Sequence, residues 1–154
     1  MSAEYYPPAG FYFGVSIGKS NERIDNQFQS VSGLSVEMEM EEYAEGGENR
    51  FKHKLPVRTK YPNLVLKRGL VLDSELVRWC KNAFENFQFE LKDITISLYD
   101  KSKQPIYTWK MAGCSPVKWT VDDLNSMEGK LLIETIEISY QYYTTNNENN
   151  ANRN

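Results

Sequence analysis

Between Leu34 and Glu41 apolar and polar side chains alternate without a break: Leu34, Val36, Met38 and Met40 against Ser35, Glu37, Glu39 and Glu41. A period of two puts the four apolar side chains on one face of an extended strand, so the segment is expected as a half-buried strand. The charges beyond it constrain the chain further. Residues 37–48 hold six carboxylates (Glu37, Glu39, Glu41, Glu42, Glu45, Glu48) and no base, whereas residues 50–68 hold seven cations (Arg50, Lys52, Lys54, Arg58, Lys60, Lys67, Arg68), His53 and no acid. A long excursion carrying opposite charges in blocks is costly to leave dangling, and long structured loops in small domains are usually functional.

The rest of the chain reads as strands around one helix. Residues 11–17 (FYFGVSI) place Phe11, Phe13, Val15 and Ile17 on one face; residues 28–31 start a second strand, which Ser32-Gly33 should kink before Leu34. Residues 63–67 form a short strand closed by Gly69. Asp73 is the expected N-cap of a helix over 73–87, with Leu76, Cys80, Ala83, Phe84 and Phe87 as its apolar stripe. A strand containing Phe89, Leu91, Ile94, Ile96 and Leu98 should turn at residues 100–104 into residues 106–111, an antiparallel hairpin. Pro116, Val117 and Trp119 read as a separate short piece, and residues 122–125 as a turn. Residues 130–143 should be the longest strand, interrupted at Glu134. The expectation is a mainly β chain of about eight strands: an antiparallel β-sandwich or barrel with one flanking α-helix. Residues 1–143 form one domain, and the Asn-rich residues 144–154 are expected to be disordered, since no sizeable apolar side chain offsets their ordering entropy.

Composition narrows function. With 18 Lys plus Arg against 21 Asp plus Glu, a net charge of −3 argues against a general polyanion coat. No apolar leader or membrane-spanning run is present, so synthesis in the cytosol without a signal peptide is expected. Cys80 and Cys114 are expected to be free thiols. A lone histidine and two distant cysteines offer no metal set, Gly46-Gly47 lacks phosphate-loop spacing, and no nucleophile, base and orienting group stand together. Neither catalysis, metal nor cofactor is expected. The glutamates of residues 37–41 fit a solvated face, a calcium or general-acid site, or a face meeting a basic partner. The basic loop 50–68, with Phe51 and Tyr61 interleaved, suits either an acidic ligand or nucleic acid held by a monomeric β-sandwich binding module, or the acidic face of a second copy. The latter is a heterologous contact of the kind that closes rings or propagates filaments.

PPAGFYFGVSIG, FQSVSGLSVEMEMEEYAEGG, KLPVRTKYPNLVLKRG, DSELVRWC, ISLYDKSKQPIYTW and SPVKWTVDDLNSMEGKLLIETIEISY, in that order and covering nearly all of residues 1–143, resemble the inner tube proteins of contractile phage tails and phage-derived extracellular contractile injection systems. The resemblance implies hexameric rings with sheets joined across subunits, stacked into a hollow tube that a contracting sheath drives through a target envelope. It implies as partners the chain itself, a sheath protein, baseplate or spike and terminator proteins, and lumenal cargo or DNA. The particle would be a virion tail or a released or membrane-attached injection device. It also implies that the segment 42–63 reaches adjacent subunits and rings, with contact residues Glu41, Glu42, Glu45, Glu48, Arg50, Lys52, Lys54, Leu55, Pro56, Arg58, Lys60 and Tyr61, and that Tyr5 and Tyr6 of the N-terminal arm assist stacking.

Overall fold

The computed structural model describes residues 12–18, 28–43 and 53–147. The strands are β1 (Tyr12–Ile17), β2 (Phe28–Ser32), β3 (Glu37–Tyr43), β4 (His53–Lys60) and β5 (Leu64–Gly69). Helix α1 (Glu75–Glu85) comes next, then β6 (Lys92–Tyr99), β7 (Pro105–Val121), β8 (Ile133–Ser139) and β9 (Tyr142–Asn147). The architecture is the expected mainly β, antiparallel one with a single helix among the described residues.

The longest strand is β7, not the segment at 130–143. Its first half lies between β6 and β9, with Ile96 opposite Trp109 and Trp109 opposite Thr145. Its second half pairs with β8, Trp119 opposite Ile136, and β8 continues to β5 and β2. The piece around Pro116 is therefore continuous with the hairpin strand, and β7 belongs to both layers. At the junction Gly113 has φ +65°, and a Cβ there would lie 2.7 Å from the Gln141 side chain. The positive φ favours a glycine, and a larger residue would also have to push the exposed Gln141 side chain aside.

Strict alternation explains the core. Val15 and Ile17 of β1, Ile94 and Ile96 of β6, Leu64 and Leu66 of β5, and Ile136 and Ile138 of β8 are all buried together with Met111 and Cys114. The helix covers this cluster with Leu76, Trp79 and Cys80. Its N-cap is Ser74, whose Oγ accepts a hydrogen bond from Val77 N at 3.1 Å, rather than Asp73. The buried stripe is Leu76, Val77, Trp79, Cys80 and Ala83; Phe84 and Phe87, outside it, are exposed. Phe89 and Leu91 likewise precede β6 and face solvent.

Glu134 does not interrupt β8. It is fully buried on the same face as Ile136, and its Oε2 accepts from Arg68 Nε at 2.9 Å while Oε1 accepts from Trp119 Nε1 at 2.7 Å. Arg68 Nη2 also donates to Ser74 Oγ at 2.8 Å, and the guanidinium lies 4.8 Å from the Phe28 ring centroid. Arg68 thus leaves the basic run of residues 50–68 for the core. Nor is the whole C-terminal segment without structure: residues 144–147 extend β9, paired to β7 from Ala112–Tyr142 to Tyr107–Asn147. The backbone ladder supplies the stabilisation that these side chains lack, and residues 148–154 lie outside the described residues.

Candidate assembly interface

The charged stretch folds as a second strand and returns on the first. Glu37 pairs with Lys60, Met38 with Thr59 and Glu39 with Arg58; a bulge beside Val57 then puts Met40 opposite Pro56, Glu41 opposite Leu55, Glu42 opposite Lys54 and Tyr43 opposite His53. The acidic and basic blocks face each other within one hairpin. Glu39 and Arg58 hydrogen-bond side chain to side chain, and Lys54 Nζ lies 4.0 Å from Glu42 Oε1. The Arg58 hydrogen bond, then its charge, hold the Glu39 carboxyl below the usual range, and Glu39 raises Arg58 in return. Both side chains are open to solvent, where water and salt screen such a pair to little net stability.

Among the described residues β3 and β4 pair only with each other. The hairpin is an arm standing off the body, so the alternating strand is not half-buried as its pattern suggests: Met38 is 49% exposed, Met40 46% and Val57 54%. The period of two is that of a strand, but among the described residues no layer covers its apolar face. The root is firmly built. Gly33, with φ +94°, passes so close to residue 63 that a Cβ would sit 2.2 Å from the Asn63 carbonyl oxygen. Tyr140 OH donates to the Gly33 carbonyl at 3.3 Å, and the Tyr61 ring packs against Tyr140 and Tyr143 at 5.7 and 5.3 Å. Tyr61 therefore anchors the arm to its own body.

Of the residues expected at subunit contacts, Glu41, Glu42, Lys54, Leu55, Pro56, Arg58 and Lys60 lie together on this arm. Tyr5, Tyr6, Glu45, Glu48, Arg50 and Lys52 lie outside the described residues. One group has no counterpart in the sequence expectation. The arm leaves the sheet just beyond the Ser32–Val65 pair, and the pairings Leu64–Ile138 and Gly69–Ile133 put the β7–β8 connection at the opposite end. There Leu72, Leu124, Met127 and Leu131 are all exposed, and Leu70 N donates to the Leu132 carbonyl at 2.9 Å, holding two of these segments side by side. The signal was present as apolar residues inside a polar turn sequence, DDLNSMEGKLL.

A family model described as the T4-like virus tail tube protein gp19 matches residues 9–144. The chain belongs to the tail tube family. The tail tube fold is seen again in solved structures. A chain of the anti-feeding prophage baseplate shares 27% identity at a TM-score of 0.79, covering 96% of this chain and 98% of that one. A chain of the sheath–tube complex of an extracellular contractile injection system in its extended state shares 28% identity at 0.78, covering 94% of each. Hcp1 from Flavobacterium johnsoniae, at 16% identity and a TM-score of 0.57 over 88% of this chain and 95% of that one, shares the fold. No curated protein sequence matches. The tail tube assignment makes this protein a structural tube subunit of the kind found in contractile injection systems.

Proposed function

We propose that the chain forms six-membered rings and that the arm joins each ring to the next by seating its apolar face on the leucine-bearing end of a second copy. The observation that carries this reading is the placement of two exposed apolar surfaces at opposite ends of one sheet, the arm at one and Leu72, Leu124, Met127 and Leu131 at the other. Such a pair is what a head-to-tail, propagating contact needs. Covering the exposed half of each Met contributes about 1 kcal/mol, whereas the arm's ion pairs Glu39–Arg58 and Glu42–Lys54 are already made within the hairpin. Apolar burial therefore supplies most of the stacking free energy, while the charges set register.

The sheath of the injection machine surrounds the tube on this reading, with baseplate and terminator proteins at its ends, since similar chains occur in structures of those assemblies. The subunit works as a wall and performs no catalysis. A cationic surface for nucleic acid is less favoured, because Lys54, Arg58 and Lys60 of the basic run stand opposite Glu42, Glu39 and Glu37, and Arg68 is buried.

The test is Met38→Asp with Met40→Asp. The expected product melts like the parent but gives single rings or short stacks by sedimentation and negative-stain microscopy. Tubes of normal length from this variant would rule out the arm as the stacking element.

A further inference from the structure

Helix α1 ends in a way that its own subunit does not need. Gln88 N donates to the Asn82 carbonyl at 2.9 Å, the closing bond of a Schellman cap, and Phe87, just after the C-cap Asn86, takes φ +55°. That left-handed position is ordinarily given to glycine, because a side chain there crowds its own backbone. Here it carries a phenyl ring that is 79% exposed. The ring stands edge-on to Phe89 at 4.9 Å, and Phe84, Phe89 and Leu91 of the same segment are exposed as well. The chain accepts backbone strain to hold an aromatic pair out in solvent, a combination that belongs to a surface meant to be covered.

Register locates this knuckle at the arm's end of the molecule. Lys92, which follows it, pairs with Cys114, two residues from Pro116; Pro116 and Leu64 both lie opposite Ile138, at the end of the sheet from which the arm departs. The start of α1 lies at the other end. Its N-cap Ser74 accepts a hydrogen bond from Arg68, one residue before Gly69, and Leu72 of the leucine-bearing end precedes that cap by two residues. One helix of 11 residues, about 16 Å long, therefore has an exposed Leu72 before its first turn and an exposed Phe87 after its last. The leucine-bearing end also offers more apolar surface than the arm can cover. Leu72 and Met127 are each 91% exposed, nearly whole side chains, whereas Val36, Met38, Met40 and Val57 are exposed by about half.

We propose that the Phe87–Phe89 knuckle is a second limb of the contact between stacked copies, seated on Leu72 and Met127 of the next copy while the arm covers the rest of the leucine-bearing end. The inference rests on the head-to-tail reading of the proposed function. An aromatic pair against a thioether and a branched aliphatic side chain is a favourable apolar contact. The strain at Phe87 is then offset in the assembly rather than in the subunit. Two limbs per copy, one an extended hairpin and one the end of a packed helix, fix the angle of each copy on the next as well as its distance.

The experiment uses Phe87→Gly, with Phe87→Asn as a second variant, since both replacements suit the left-handed position and remove the ring. Expected are urea midpoints no lower than the parent's, because the cap is relieved, together with a rise of about tenfold or more in the protein concentration needed for tubes, read by sedimentation. Tubes at the parental concentration from either variant would overturn the knuckle's role. Its partner is identified by cross-linking Asp73→Cys with Gln88→Cys, which leaves Leu72, Phe87 and Phe89 in place; Cys80 and Cys114 are buried. A bis-maleimide shorter than the helix cannot join the two sites of one chain. In assembled tubes it should give covalent ladders longer than a ring. No ladder from tubes, or the same links in rings kept single by Met38→Asp and Met40→Asp, would put the knuckle's partner elsewhere and overturn the proposal. Failure of the unsubstituted protein to form any tube would instead overturn the stacking reading, and the knuckle with it.

Discussion

Glu134 and Arg68 show how a charged pair is kept in this core. Each is fully buried, and their hydrogen bonds reach Trp119 and Ser74, so the pair ties β5 and β8 to the second half of β7 and to the first turn of α1. Removing one partner breaks a buried ion pair, and Glu134→Ala should destabilise the fold by about 3–5 kcal/mol in urea unfolding, whereas Arg68→Met with Glu134→Leu should recover most of the loss. A single variant within about 1 kcal/mol of the parent would show that the pair is dispensable. The cysteines give a second residue-scale expectation. Burial pushes both thiols up to about 12 from an ordinary 9.0. The unfolded chain therefore releases these protons first as pH rises, so stability is fully present below about 9 and declines between 9 and 12. Urea midpoints should fall from pH 8 to pH 10, and a thiol reagent at pH 8 should react only after unfolding; rapid reaction of the folded protein would contradict the burial.

At the scale of elements, the arm is decided at its root. Gly33→Ala puts a methyl group against the Asn63 carbonyl at a positive φ, and we expect a loss of about 1–3 kcal/mol together with faster amide exchange across β3 and β4. An unchanged exchange pattern would mean the root tolerates the shift. The ion pair farther out behaves differently. Because Glu39 is lowered by Arg58, the support it lends is present above the ordinary carboxylate range and disappears as pH falls through its depressed value. Acidification should therefore loosen the exposed hairpin before it affects the core. Such elements are unevenly legible in the sequence. The alternations in β1, β3 and the body of β6 can be read from period alone, as can Leu76, Cys80 and Ala83 of α1, but not the burial of Val77 and Trp79 or the exposure of Phe84 and Phe87. The strand β4 cannot, because a Pro and a run of cations in HKLPVRTK hide an extended segment whose partner is the acidic strand before it. β9 escapes for a related reason: YYTTNN carries little apolar signal, and its order comes from the ladder on β7. The buried Glu134 looks like an interruption in the sequence since its partner is 66 residues away.

Among the described residues the molecule has unpaired sheet edges and two unlike ends, and its assembly should fail in separable ways. Truncation after Gln141 removes β9 and leaves the edge of β7 exposed over Tyr107–Ala112. We expect a folded chain that sediments without rings, in contrast to the Met38 and Met40 variant, which keeps rings and loses stacking. Rings from the truncated chain would mean that closure does not use β9. The opposed charge blocks of the arm are legible in the sequence; the leucine-bearing end becomes visible only when register places distant residues on a common surface. The path of β7 bears on how such a tube carries force. Because β7 passes through both layers as a single covalent strand of 17 residues, an endwise thrust on one layer would reach the other along a continuous main chain. A hinge loop at that point would let the two layers slide; β7 makes them shear together, so the wall resists buckling as one shell.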